Sequence, residues 1–180
     1  DEGAAKQAEE WGAFDFMLEK KAKGLVKHVG FSFHDKAEVL DKILTRHPEM
    51  EYVQLQLNYA DWEDSEVQSR KCYEVCVKYG KPVLVMEPIK GGMLANVPAE
   101  AEALLKGARP EMSVASWAIR FAASQENVFM VLSGMSDEQQ VEDNLSYMKD
   151  FAPLSDEEKD LVAKSAAIIK SKEKVPCTGC

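Results

Sequence analysis

The chain reads as an α/β fold with a parallel sheet, built as part of a (β/α)8 barrel, and three features predict this. A strand-then-helix rhythm repeats four times after an opening helix, and strands alternating with helices imply a parallel sheet. No strand is followed by the Gly-x-Gly-x-x-Gly fingerprint of an open, doubly wound sheet; Gly91-Gly92 follows a strand, but no x-x-Gly comes after it. Polar residues collect at the C-terminal ends of all four strands: Ser32 and His34, Asn58, Glu87 and Lys90, and Ser133. A (β/α)8 barrel places its site at that end. Four βα units are half of such a barrel.

Each element has its own signal. Phe14, Met17, Leu18, Ala22 and Leu25 recur at helical spacing, with Lys23 and Gly24 suited to a C-terminus. Residues 28–33 make a short strand. Asp35-x-x-Glu38 is a capping signal for a helix with Val39, Leu40, Ile43 and Leu44 on one face. Residues 52–57 alternate as a strand, and a helix follows over 65–79, closed by Gly80 with Pro82 beyond. Residues 82–86 are nearly all apolar, as expected for a strand buried on both faces. A looser stretch runs to Pro110, then Val114, Trp117, Ala118, Phe121 and Ala122 mark a helix. The fourth strand covers 128–132. Ser136-x-x-Gln139 and Ser155-x-x-Glu158 are capping boxes for two last helices, and the segment to Val175 reads as a linker.

Composition narrows the partners. A formal net charge of −9 without an acidic tail repels nucleic acid and anionic membrane, which favours a small-molecule or protein partner. No apolar run approaches the length of a membrane span, and the start lacks a signal-peptide hydrophobic region, so a cytoplasmic location is expected. The four cysteines fall into two pairs. Cys72 and Cys76 lie four apart on one helical stripe and read as buried core thiols rather than ligands. Cys177 and Cys180 lie in a Pro- and Gly-bearing loop, where a two-residue spacer turns both thiolates toward one metal ion or cluster. Zinc and iron–sulfur sites both need four ligands, and a redox dithiol is the competing reading. The expectation is that the chain continues beyond Cys180 or shares a partner's cysteines.

The run from Gly24 to Asn144 resembles the C-terminal half of the aldo/keto reductases. The matching pieces are Val29-Gly30-Phe31-Ser32, Val53-Gln54-Leu55-Gln56-Leu57-Asn58-Tyr59, Met86-Glu87-Pro88-Ile89-Lys90-Gly91-Gly92, Ser116-Trp117-Ala118-Ile119-Arg120-Phe121 and Ser136-Asp137-Glu138-Gln139-Gln140-Val141-Glu142-Asp143-Asn144. The resemblance implies two divisions: residues 1–170 as the C-terminal half of the barrel, and 171–180 as a linker with the start of an iron–sulfur-type cysteine motif. The tail resembles the branch with a ferredoxin-like extension, implying that Cys177 and Cys180 ligate a 4Fe–4S cluster if the chain continues.

The implied function is hydride transfer between NADPH and a carbonyl substrate, with NAD as the other cofactor to consider. Ser32 and Gln54 match positions that contact the nicotinamide carboxamide, and an amide side chain offers such a ligand both donor and acceptor. Met86 stands where the family often has an aromatic residue stacked on the nicotinamide ring. Glu87, Pro88, Ile89, Lys90 and Gly91 match the loop that passes the pyrophosphate. Lys90 is there either as a counter-charge or as a solvated loop lysine. Gly134 and Ser136 match loop contacts to the adenosine end, and Gln140, Asp143 and Asn144 match helix contacts. Gln140 and Asn144, four apart, share a helical face, and a helix N-terminus favours phosphate. Asp143 would repel a 2′-phosphate, so NADP is implied by the resemblance and not by these residues.

The family's Asp-Tyr-Lys-His tetrad belongs to the first half of the barrel, so no catalytic residue is expected in this chain, which alone should be inactive. His34 matches a different strand from the catalytic histidine and reads as a rim residue; His28 and His47 have no constellation around them. A half barrel leaves two sheet edges and an inner face open, so a homodimer or association with a missing half is expected. The alternative function is a non-catalytic nucleotide-binding or protein-interaction half barrel. A zinc-stapled structural domain is the third.

Overall fold

A computed structural model of the chain describes residues 2–172. In chain order these form α1 (Glu2–Glu10), α2 (Ala13–Ala22), β1 (Gly30–Phe33), α3 (Ala37–Arg46), β2 (Tyr52–Gln56), α4 (Ser69–Lys78) and β3 (Val83–Met86). A 3-10 turn (Met93–Ala95), α5 (Ala99–Ala108), α6 (Val114–Ala123), β4 (Val128–Val131), α7 (Glu138–Met148) and α8 (Asp156–Lys172) follow. Residues 173–180, with Cys177 and Cys180, lie outside the described residues.

The four strands form one sheet in the order β1-β2-β3-β4, every pair parallel. Strands laid down in sequence, without reversal, are the singly wound order of a barrel wall and not the switch-point order of a doubly wound sheet. Ser32 pairs with Gln54, and Gln54 with Leu84, so the residues of one sheet face can be followed from strand to strand.

The two faces differ. Phe33, Val53, Leu55, Val83 and Val85 are buried against Leu40, Leu44, Cys76, Trp117 and Ala118 from the helices. The opposite residues, Ser32, Gln54, Gln56, Leu84 and Met86, are exposed or only half-buried. The expectation that the third strand is buried on both faces is therefore met on one face only. Helices cover only one side of the sheet among the described residues. Phe129 and Met130 of β4 stay about half exposed, at 52% and 51%, for the same reason.

Several boundaries move, each for a local reason. The expected Asp35–Glu38 box does not form: Asp35 accepts from the amides of Lys36 and Glu2, while Gln68 Oε1 accepts from Ala37 N, the first amide of α3, at 3.1 Å. α4 starts at Ser69 and not at 65, because Asp64 Oδ1 takes the amides of Glu66 and Val67 into a turn. The box on α7 is shifted by one residue, with Asp137 Oδ1 accepting from Gln140 N at 2.9 Å. The box on α8 is reciprocal as expected: Ser155 Oγ accepts from Glu158 N and Glu158 Oε2 from Ser155 N. α5 occupies part of the stretch expected to be loose. Its alanine-rich sequence gives weak apolar periodicity but high helix propensity, and it packs on α8 through buried Ala101 and Leu105.

His47 does have a constellation. Its ring stacks on Phe14 at 3.7 Å, its Nε2 lies 3.0 Å from Glu9 and its Nδ1 3.1 Å from Glu49, which ties α1 and α2 to the end of α3. Cys72 and Cys76 are buried free thiols, both pushed up to about 12 by burial. Among the described residues, no helix is long and apolar enough to cross a membrane, and no cluster of three or more His, Cys, Asp or Glu side chains could hold a metal ion.

Candidate functional site

Parallel strands send all their C-terminal ends to one edge of the sheet, so the loops after β1 to β4 gather there. Three of the expected contacts sit on the open face of the sheet near that edge. Ser32 is exposed and in register with Gln54, and Gln54 Nε2 reaches the Met86 sulfur on the next strand at 3.3 Å. A thioether is a weak acceptor, so the Gln54 amide keeps most of its hydrogen-bonding capacity for a ligand.

Behind this row lies a buried polar network that the sequence pattern does not announce. Asn58 and Asp61, just past β2, are 0% and 2% exposed. Asp61 Oδ2 accepts from Gln56 Nε2 at 2.9 Å and from Asn58 Nδ2 at 2.8 Å, while Asn58 Oδ1 accepts from Asp61 N at 2.9 Å. Lys90 Nζ donates to the other oxygen, Asp61 Oδ1, as a close ion pair. Asn58 Nδ2 also donates to the Glu87 carbonyl at 3.1 Å. Lys90 is thus neither a solvated loop lysine nor turned outward; its ammonium neutralises a buried carboxylate. Only its local part left a trace in the sequence: an asparagine just past a strand, whose side-chain oxygen accepts from the amide three residues on.

The loop after β3 is held in an unusual backbone form. Glu87 (φ 56°) and Lys90 (φ 49°) are left-handed despite their side chains, and Gly91 (φ 60°) and Gly92 (φ 92°) continue the run. Each left-handed residue with a β-carbon costs roughly 1–2 kcal/mol, so contacts must hold the turn. Pro88 is buried, Ile89 half-buried, and Gly91 exposed at the tip.

The loop after β4 and the start of α7 carry the remaining positions. Gly134, Ser136 and Gln140 are exposed. Gln140 Oε1 accepts from Ser136 N at 2.8 Å and its Nε2 donates to Asp137 at 2.9 Å, so this side chain organises the loop. Asn144 Nδ2 donates to Ser133 Oγ at 3.1 Å, and the Tyr147 hydroxyl donates to Asn144 Oδ1. Burial lifts the Tyr147 phenol well above its ordinary range, keeping it a proton donor there. Asp143 accepts from Ser113 Oγ, the cap of α6, at 2.6 Å. Ser113, absent from the sequence reading, shares Asp143 between two helices. His34, at the end of β1, is exposed on the rim.

Comparisons with known proteins bear on the fold and the family. The chain is similar to a solved aldose reductase from Giardia lamblia at 19% identity and a TM-score of 0.65, covering 91% of this chain and 52% of the other. It is similar to an aldo-keto reductase from Klebsiella pneumoniae in complex with NADPH at 17% identity and a TM-score of 0.64, covering 90% and 56%. An aldo-keto reductase from Bacillus halodurans matches at 18% identity and a TM-score of 0.61, covering 82% and 54%. The chain spans about half the length of these structures. No curated protein sequence matches it. The sequence profile of the aldo/keto reductase family matches residues 8–167, and the chain belongs to that family.

Proposed function

We propose that this chain is the cofactor-binding half of an NADP-dependent aldo/keto reductase, corresponding to the last four βα units of a (β/α)8 barrel. The observation that carries the proposal is the row formed by Ser32, Gln54 and Met86 on the open sheet face. It lies at the edge where the loops after β3 and β4 emerge. The residues fit a dinucleotide: a half-exposed amide for a carboxamide, a left-handed turn with glycines for phosphates, and a capped helix N-terminus for the adenosine end. NADPH, when bound, supplies the hydride. Gln54 and Ser32 orient the nicotinamide, and Met86 packs against its ring.

The acid that protonates the carbonyl oxygen is assigned to the other half of the barrel, which would cover the open face and both sheet edges. A small carbonyl compound is the substrate class. Cys177 and Cys180 are assigned as two of the four thiolate ligands of a 4Fe–4S cluster, to be completed only if the chain continues beyond Cys180; iron with acid-labile sulfide supports that assignment, and zinc alone contradicts it.

Titration of the purified chain with NADPH, followed by nicotinamide fluorescence, tests the reading. Saturable binding is expected, with Gln54→Leu weakening it about tenfold (~1.4 kcal/mol). No binding, or binding unchanged by Gln54→Leu, contradicts it.

A further inference from the structure

We propose that Asp61 is a positioning residue that holds the turn after β3, residues 87–91, in the shape, with Glu87 and Lys90 left-handed, that meets a phosphate-bearing ligand. Its ligand part rests on the cofactor-binding reading above. The turn closes on itself through Lys90 N donating to Glu87 O and Gly92 N to Ile89 O, each at 3.1 Å, but Glu87 and Lys90 carry side chains in a conformation that favours glycine and needs further support. Sheet pairing reaches only as far as Gln56 with Met86, supplemented by Leu57 N donating to Met86 O at 3.2 Å. Beyond it, both left-handed residues are tied to one centre. Lys90 is tied by its ammonium to Asp61 Oδ1, and Glu87 by its carbonyl to Asn58 Nδ2, which itself donates to Asp61 Oδ2.

Burial makes this centre more than a surface ion pair. Asp61 is 2% exposed and Asn58 0%, so the carboxylate must be compensated by protein donors. The Lys90 charge is therefore directed inward. What the turn offers a ligand is its backbone and glycine tip, set in place by a residue from the neighbouring loop. Asp61 need not touch the ligand to determine how well it binds.

The test uses the 180-residue chain as wild type, Asp61→Asn and Lys90→Gln, with Glu158→Gln as a variant destabilised at a distance. Amide hydrogen exchange over residues 88–95 is expected to quicken about tenfold in Asp61→Asn. The α7 and α8 peptides should stay within about twofold, and Glu158→Gln should leave the turn unchanged. NADPH affinity should fall about tenfold, while adenosine 2′-phosphate, which has no pyrophosphate, should change less than about threefold. If Asp61→Asn does not fold, Lys90→Gln carries the same comparison, because it removes the ion pair with Asp61 from the side of the turn. Unchanged exchange in the turn overturns the proposal, as does faster exchange with NADPH affinity intact. A wild-type chain that binds no NADPH sinks the cofactor reading instead, and the clamp then stands or falls on exchange alone.

Discussion

Gly30 shows how tightly single residues are fixed in this sheet. A β-carbon there would lie 2.4 Å from the Tyr52 carbonyl oxygen and 2.7 Å from its ring, both on the paired strand β2. Gly30→Ala must therefore push β1 off β2. The expected loss is about 1–3 kcal/mol, read as a lower midpoint in urea denaturation. The two helical thiols give a second prediction at this scale. Because burial pushes Cys72 and Cys76 up to about 12, neither should react with iodoacetamide in the native protein at pH 8, and both should after denaturation. Peptide mapping by mass spectrometry reads the outcome. Their core role followed from helical spacing alone. The role of Asp61 did not, because its charged partner lies 29 residues on, Lys90 after β3, while Gln56 and Asn58 come from the end of β2.

Among the elements, α8 shows how a cap can also anchor a helix. Glu158 closes the capping box with Ser155 and receives both guanidinium nitrogens of Arg120 at 3.1 and 3.3 Å, with Arg109 Nε at 3.1 Å. Burial raises its carboxyl, but the Ser155 amide and the Arg120 guanidinium outweigh this and hold it below the ordinary range. Arg120 is only 4% exposed, so Glu158→Gln leaves a buried cation short of its counter-charge. A loss of about 3 kcal/mol is expected from chemical denaturation, against about 1 kcal/mol for Ser155→Ala. The Ser155 box was legible because all its parts lie within four residues. The α3 start was not, since its first amide is capped by Gln68, far along the chain. Strand order and direction followed from the alternation of elements. The coverage of the faces did not, because an apolar strand looks the same whether one face or two are buried.

At the scale of the whole molecule, acid should act through carboxylates that tie elements together. Glu51 joins the approaches to β1 and β2: the Lys21 ammonium at 2.7 Å, then the Val29 amide, hold it down to about 2 from an ordinary 4.5. Glu9 is lowered mainly by its hydrogen bond with His47, against the opposing effect of burial, with Arg46 adding to the lowering. A group whose carboxyl is lowered on folding stabilises fully above its unfolded value, and that contribution drains as pH falls toward the folded one. Thermal melts should therefore weaken from about pH 4.5 downward, and Glu51→Gln should flatten the part between 4.5 and about 2. An unchanged slope would contradict this assignment.

The open face of the sheet and the polar edge beside it are the molecule's main structural asymmetry. Their central test is a hydrogen-exchange footprint of the chain with and without saturating NADPH. Protection is expected to gather at 32–34, 54–58, 86–92 and 133–144, with the helical face unchanged. Protection absent from those segments, or concentrated on the helical side, would contradict it.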